Sequence, residues 1–256
     1  MDERVFDERT TEELFQASLE GDYDDEAAWD AVCALRRRNT EEVFQVAVWY
    51  CQSAVALERA RGLDVLAQFG AGRPRLERLH HDDNVAIAIE HLRDPDPRVA
   101  SSAAWALAHL GGDTAVDALL PLRNNPDPHI RWAVTNVVHG TERPDAIAVL
   151  IELMDDPNDN VRDWATFALG TQCSVDSAAI RDALRMRLTD LHQEARDEAV
   201  WGLAKRKDAQ GLRMLIDRLS AEEWIEGDEM AAAETLDLPL HTPAEELCDG
   251  LRKLLG

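Results

Sequence analysis

The stretch DPNDNVRDWATFALG, residues 156–170, decides the fold of this chain. It begins with an Asp-Pro turn signal, and the apolar residues that follow it, Val161, Ala165, Ala168 and Leu169, fall on one face of a helix. The acidic residue soon after the proline suits a helix N-terminus. The stretch therefore predicts a turn followed by an amphipathic helix.

Three further stretches align with this one without gaps. They are DPDPRVASSAAWALAHLG (94–111), NPDPHIRWAVTNVVHG (125–140) and DLHQEARDEAVWGLA (190–204). The second residues of the four stretches are Pro95, Pro126, Pro157 and Leu191, which gives spacings of 31, 31 and 34 residues. Shorter helical stretches lie between them, so each unit is interpreted as two helices joined by an Asp-Pro turn. Helices this short bury their apolar stripes only by stacking on neighbouring units, which predicts an α-solenoid.

These units resemble HEAT repeats of the PBS-lyase HEAT-like subtype. The resemblance rests on an Asp-Pro turn, an aliphatic residue, an arginine, and small residues ending in Ala-Leu-Gly. Val161-Arg162 and 168–170 match this pattern closely, and Arg131 and Arg196 keep the arginine. In the unit that begins at residue 94, Ala100 takes its place. We expect these arginines to form a structural ladder that ties the repeats together, interrupted at Ala100.

The resemblance implies an all-α fold, an α-α superhelix of the HEAT/armadillo-like solenoid type with about seven helix pairs. We expect one continuous domain over 1–256. Residues 10–82 form degenerate N-terminal repeats, with Arg59 in the arginine position of one copy and a connector at 71–82. Residues 83–206 are the well-matched repeats. Residues 207–256 hold an eroded repeat, with a second helix near 227–237, and a C-terminal cap helix over 243–255.

The composition restricts the classes of partner. The chain has 27 Lys and Arg against 50 Asp and Glu, a net charge of −23. Phosphate backbones and anionic membranes repel such a chain, so we expect neither as a partner, although adaptation to a salty cell also explains acidity. The four cysteines lack CxxC spacing, and the N-terminus lacks the features of a signal peptide. The longest uncharged stretch, 43–57, is shorter than a membrane span. We expect a cytoplasmic protein.

Aromatic and acidic residues cluster on the second helix of each pair, which the resemblance implies is the inner, concave wall. When the arginine position is numbered zero, positions +1, +2 and +5 point toward the groove or its edges. The candidate contact residues there are Trp105, Trp132, Asp163, Trp164, Phe167, Asp197, Glu198 and Trp201. Aromatic anchors beside carboxylates suit a basic or amphipathic segment of another protein. We predict a non-catalytic scaffold or adaptor that binds a protein or peptide and needs no cofactor and no metal.

Two other interpretations of these side chains stay open. The rings could instead fill the space between adjacent repeats, as large aromatic side chains commonly do. Asp163 and Asp197 could instead bond the arginines of neighbouring repeats or favour their own helix N-termini.

Enzymes with HEAT-like repeats are the alternative class. The di-iron hydroxylase that acts on deoxyhypusine sets His-Glu pairs after the arginine position, and the pairs at 101–102, 132–133, 163–164 and 197–198 contain no histidine. An alkylpurine DNA glycosylase needs a basic groove, which conflicts with the charge of this chain. A bilin lyase, which gives the repeat subtype its name, or a glycosylase-like enzyme using the same groove remains the alternative.

The histidines are given structural interpretations. His109 and His139 are expected to be solvated residues near helix ends. The run His80-His81-Asp82-Asp83 is expected to begin a helix with an aspartate N-cap rather than to bind a metal.

Overall fold

The computed structural model describes residues 7–70, 78–139, 142–221 and 225–256, and all regular structure in these ranges is helical. The chain divides into two compact units, Met1–Val137 and Val138–Gly256. The first unit contains α1 (Thr11–Ala17), α2 (Glu26–Arg38), α3 (Glu41–Cys51), α4 (Ala56–Ala67), α5 (His81–His91), α6 (Pro97–Leu110), α7 (Asp113–Leu119) and α8 (Pro128–Val137). The second contains α9 (Pro144–Leu153), α10 (Asp159–Phe167), α11 (Ala178–Arg187), α12 (Gln193–Lys205), α13 (Ala209–Ser220), α14 (Glu226–Leu236) and α15 (Ala244–Leu255).

The helices form consecutive pairs. Helices α1 to α14 make seven pairs, and α15 follows as the predicted cap helix. Within the first unit the second helices pack on one another, α4 on α2 and α6, and α6 on α8. Within the second unit α12 packs on α10 and α14. The all-α solenoid fold is therefore confirmed, and the single continuous domain over 1–256 stays a prediction. None of the described helices is long and apolar enough to cross a membrane. Most of the predicted connector, 71–77, lies outside the described residues.

The repeat turn is closed by the arginine that follows it. The Arg162 Nη1 donates to the carbonyl of Asp156, six residues earlier, at 2.9 Å. The same bond recurs from Arg131 to Asn125 and from Arg196 to Asp190, at 2.8 and 2.6 Å. Each side chain therefore folds back over its own turn and supplies donors to carbonyls that no helix satisfies.

Arg59 and Arg162, both in the arginine position of their repeats, also hold the next repeat. Arg59 on α4 binds both oxygens of Asp94, the first residue of the following turn, each at 2.8 Å. Arg162 on α10 binds both oxygens of Asp190 in the same way, each at 3.0 Å. Such bidentate pairs fix the direction of approach as well as the distance. The prediction that Arg162 has a structural role agrees with this geometry.

The ladder changes where the sequence predicts an interruption. Ala100 stands in the arginine position, and Asn125 replaces the aspartate that would have received it. Ser101 instead donates to Asp127 across the same gap, with 2.6 Å between Oγ and Oδ2. The arginine and its aspartate are replaced together, by Ala100 and Asn125, so position 125 carries no carboxylate that would need an arginine.

The Ala-Leu-Gly ending lets two helices approach closely. A Cβ added to Gly170 would lie 2.8 Å from the Glu198 carbonyl, and one added to Gly202 would lie 2.5 Å from the Gly170 Cα. The chain continues after α10 as a π-helical turn, 168–172, whose carbonyls need donors. Buried Arg206 supplies them, bonding the carbonyls of Leu169 and Gly170 at 2.7 and 2.8 Å.

The start of α5 differs from the sequence prediction. The N-cap is His80, with a φ of +55°, and Asp82 and Asp83 lie in the first turn of the helix, so an aspartate N-cap is wrong. The His80 ring stacks on Phe44 at 3.7 Å, and its nitrogens contact Glu41 at 2.7 Å and Asp83 at 3.1 Å. The hydrogen bond to Glu41 is the main cause that raises the pKa of His80 above its usual value. The two carboxylates attract a protonated ring, and this attraction stabilises His80 at the N-cap position of α5.

Arg162→Ala tests the turn-to-turn link. We expect the free energy of unfolding to fall by roughly 2–3 kcal/mol at neutral pH, because buried Asp190 loses two charge-assisted bonds. Urea denaturation measures the loss. Arg213→Ala is the matched control, since Arg213 is exposed and none of the described residues bonds its side chain. An equal loss in both variants would contradict a special role for Arg162.

The same pair predicts a pH dependence. Burial would raise the pKa of Asp190, but the bonds from Arg162 and the His192 backbone N–H outweigh it and hold the pKa at about 2. The ionised carboxylate therefore contributes stability that is complete above pH 3.8 and is lost as the pH falls through about 2. The difference between wild type and Arg162→Ala should shrink over that window.

His80→Gln tests the start of α5. Because the folded pKa of His80 is raised, its contribution to stability is complete below pH 6.5 and is lost as the pH rises through the folded pKa. We expect the variant to melt at a lower temperature than wild type at about pH 5.5, and the gap to narrow by about pH 9. His129→Gln, an exposed histidine of the same unit, is the control. A gap that does not change with pH would rule out the charged contact.

Candidate functional site

The predicted contact residues lie on second helices in both units. Trp105 and Trp132 belong to the first unit, on α6 and α8, and the others belong to the second, on α10 and α12. All four tryptophans and Phe167 are half-buried, neither fully covered nor fully exposed. Within each unit, we call the side of the second helices that carries positions +1, +2 and +5 the second-helix face of that unit; the helices are α2, α4, α6 and α8 in the first unit, and α10 and α12 in the second.

The rings of the second unit are held by neighbours on one side. Trp164 and Phe167 meet edge to face, with 5.6 Å between ring centroids, and exposed His139 stacks on Phe167 at 5.4 Å. The Trp201 Nε1 donates to the buried carboxylate of Asp228 at 2.8 Å. These contacts fix the ring orientations while leaving part of each surface open to solvent.

The three predicted carboxylates have different environments. Asp197 is buried and paired with Arg218 at 2.7 Å, which agrees with the structural interpretation of that residue. Burial raises the pKa of half-buried Asp163. Burial, together with the charges of Asp163 and Asp197, raises the pKa of Glu198 to about 8. Glu198 is therefore largely protonated at neutral pH, and this stretch carries less negative charge than the sequence predicts.

In the first unit, Trp105 belongs to an aromatic cluster that extends toward the N-terminus. Its ring lies 6.1 Å from Trp29 on α2, and Trp29 lies 6.1 Å from Tyr23 in the α1–α2 loop, both at steep angles. His109 packs against Trp105 at 4.2 Å. Burial, followed by the charge of Arg36, lowers the pKa of His109 to about 4. His109 lies in the last turn of α6, as expected, but it is half-buried against Trp105 rather than fully solvated.

Two buried arginines support these rings from within. The Arg36 guanidinium lies over both Trp29 and Trp105, 5.4 and 4.9 Å from their centroids. The Arg61 guanidinium lies 4.1 Å from the centroid of Tyr23 and donates to the carbonyl of the same residue at 2.6 Å. Cations over ring faces contribute more when they are desolvated, as both arginines are here.

A buried carboxyl group connects the cluster to α6. The Tyr23 hydroxyl donates to Asp64 on α4 at 2.6 Å and lies 2.9 Å from the Ser102 hydroxyl. Asp64 is paired with Arg61 at 3.3 Å. Burial raises the pKa of Asp64, and burial with the adjacent Asp64 charge raises that of Tyr23. This network joins three parts of the unit in one polar contact.

These residues enclose an open pocket of about 420 Å³ within the first unit. Trp29, Trp105 and Tyr23 supply its aromatic walls. Its polar lining is Asp24, Asp64, Arg98, Ser101, Ser102, Asp127 and His129. Within the described ranges, no group of three or more His, Cys, Asp or Glu side chains is arranged to hold a metal ion.

Sequence reasoning missed most of this pocket although a signal for part of it existed. Counted from Arg59 as zero, Arg61 and Asp64 occupy positions +2 and +5, the positions that carry Trp164 and Phe167 in a later repeat. Because Arg61 and Asp64 are charged whereas Trp164 and Phe167 are aromatic, the residue types gave no sign that the positions are equivalent. Tyr23 lies in a loop outside the repeat pattern, so the spacing gave no indication of it.

Comparisons with known proteins agree with this architecture. A family model described as HEAT repeats matches residues 85–170 and 147–237. Protein YibA of Escherichia coli K12 is 39% identical over 94 residues, which are 37% of this chain and 33% of YibA. The matched segment thus spans about a third of that curated relative.

Solved structures share the fold. The X-ray structure of E. coli YibA has a TM-score of 0.73 at 24% identity and covers 96% of this chain and 92% of its own. A HEAT-like repeats protein from Thermococcus onnurineus NA1 has a TM-score of 0.54 at 16% identity, covering 98% and 100%. The CpcE–CpcF complex of phycocyanin lyase from Nostoc sp. PCC7120 has a TM-score of 0.51 at 17% identity, covering 100% and 98%. At these identities the likeness concerns the fold alone.

Tyr23→Phe tests the polar network beneath the pocket. We expect it to reduce the free energy of unfolding by about 1–3 kcal/mol, because buried Asp64 loses its hydroxyl donor while the ring shape is kept. Tyr50→Phe is the control, since among the described residues the Tyr50 hydroxyl contacts only Gln16, at 3.4 Å. Thermal and urea denaturation measure both. A larger loss from Tyr50→Phe would contradict the importance of the Tyr23 bond.

Proposed function

The chain belongs to the HEAT-repeat family, and from that premise we propose that it is a non-catalytic cytoplasmic scaffold that binds a protein or peptide through the second-helix faces of its units. Stacked repeats present extended surfaces, and such surfaces are how repeat proteins take partners. All four cysteines are free thiols, in keeping with a reducing compartment.

The observation that supports this proposal is the partial exposure of the aromatic side chains. Trp105, Trp132, Trp164, Phe167 and Trp201 are each half-buried on second helices. Rings packed only to fill space between repeats would be covered completely, as Phe15 and Phe69 are. A ring that is held on one side and open on the other loses little conformational entropy on binding, which is the property of an interface anchor.

The charge of the chain indicates the kind of partner. With a net charge of −23, the scaffold attracts basic or amphipathic segments and repels polyanions. The charge of Asp197 is neutralised by its ion pair with Arg218, and Glu198 is largely protonated at neutral pH. We therefore assign the specific contacts in the second unit mainly to the rings, with Asp163 as the acidic neighbour, and assign long-range attraction to the overall charge.

A double variant, Trp132→Ala with Trp164→Ala, tests the proposal. We expect capture of a defined partner from native lysate to weaken at least tenfold, because anchor side chains contribute about 2 kcal/mol or more each to binding. Trp201 is left unchanged, since its removal would take one hydrogen-bond donor from the buried carboxylate of Asp228 and so affect stability as well as binding. Quantitative pull-down followed by binding titration measures the effect.

Trp49→Ala is the matched control. Trp49 lies on α3, a first helix, and its side chain is 64% exposed, so its loss should leave capture unchanged. Both variants must keep the helical circular dichroism of wild type. Equal capture by all three proteins, or a defined partner that binds only through Trp49, would contradict a role for the second-helix face. An affinity that does not fall with added salt would remove the electrostatic contribution.

A further inference from the structure

The pocket of the first unit combines aromatic walls with a polar lining. Three rings form its walls, and carboxylates from three different segments line it: Asp24 in the α1–α2 loop, Asp64 on α4 and Asp127 before α8. This combination of aromatic faces and convergent carboxylates is selective for a cation with a flat or apolar body.

The protein itself shows which cation these rings accommodate. Guanidinium groups lie over all three of them, Arg36 over both tryptophans, and Arg61 and Arg98 over Tyr23 at 4.1 and 5.7 Å. Arg36 and Arg61 are buried, whereas Arg98 is exposed and lines the pocket. Arg98 thus occupies the position that a guanidinium from outside would approach.

The distribution of charge favours a further cation on the open side. The Arg61 charge is compensated by Asp64. The Arg36 charge opposes a second cation, but Arg36 lies buried behind the rings. Asp127 is half-buried and accepts from the Ser101 hydroxyl. Asp24 is exposed, and among the described residues nothing bonds its carboxylate, so it is available to a ligand. Arg98 is the one arginine or lysine among the residues that line the pocket.

We propose that this pocket binds an arginine side chain of the partner segment, with its guanidinium against Trp29, Trp105 and Tyr23 and its charge near Asp24 and Asp127. The proposal rests on the scaffold function above and names the partner side chain that the pocket of the first unit binds. It makes Arg98 a competitor for the site and Asp24 a contributor to it.

A pair of small probes tests the proposal without a partner protein. N-acetyl-arginine amide and N-acetyl-citrulline amide have nearly the same shape and differ in charge. Binding is followed by NMR through the indole N–H signals of Trp29 and Trp105, with exposed Trp49 as the reference. We expect saturable shifts with the arginine probe and binding of the citrulline probe at least fivefold weaker, because the cation–π and carboxylate attractions require the charge.

Two variants should change the affinity for the arginine probe in opposite directions, and a third is a control. Asp24→Asn should weaken the arginine probe roughly threefold, whereas Asp22→Asn, an exposed aspartate of the same loop outside the pocket lining, should not change it. Arg98→Ala should strengthen binding roughly two- to threefold, since it removes a like charge. These substitutions are at exposed positions, and circular dichroism checks that each variant is folded.

Each other outcome overturns the proposal. Equal binding of the two probes would identify a neutral site. Weaker binding of the arginine probe in Arg98→Ala would show that Arg98 helps to hold the ligand instead of competing with it, which contradicts the proposed arrangement. Absence of any saturable shift with the arginine probe would leave no guanidinium site at all. If these results occur while Trp132→Ala with Trp164→Ala still abolishes partner capture, the pocket chemistry fails and the scaffold function stands. Specific arginine binding with no captured partner would overturn the scaffold function alone.

Discussion

The rest of this structure depends on one contact between successive repeats. In it, the Nε and Nη2 of an arginine on the second helix of one repeat bond both carboxylate oxygens of the first aspartate of the next turn. In Arg59–Asp94 and Arg162–Asp190 the two planar groups meet at 2.8–3.0 Å. The aspartate also accepts a backbone N–H two residues later, so Asp190 holds the start of α12 through His192 as well. One residue pair therefore closes a turn, begins a helix and sets the position of the next repeat.

The position of the arginine over its turn determines which side chains of the same helix reach the second-helix face. Once the arginine is fixed over its turn, the rings at positions +1, +2 and +5 of the same helix lie beside the apolar stripe rather than within it, because a helix advances 100° per residue. Rings placed there are only half-buried, as Trp105 and Trp164 are. The close approach at Gly170 and Gly202 sets the distance between α12 and the end of α10, and thus the depth of the neighbouring surface.

Helix α4 of the first unit uses two of these positions for a different purpose. Arg61 and Asp64, at +2 and +5 of α4, turn inward and are almost fully buried. They bind the α1–α2 loop through Tyr23 and support the rings that line the pocket. Here the buried polar groups satisfy one another, which is the condition for a polar network to stabilise a fold rather than weaken it. Asp64 of this buried pair also lines the pocket.

The sequence by itself determined the helices, their pairing, the repeat boundaries and the structural role of the arginines. Each of these depends on spacings within about 35 residues, which turn signals and apolar periodicity encode locally. The tertiary structure decided the rest. Tyr23 meets Ser102 across 79 residues, Arg218 buries Asp197, and burial protonates Glu198. Those outcomes depend on distances between side chains of different repeats and on their exclusion from water. The spacing of residues within a repeat specifies neither quantity.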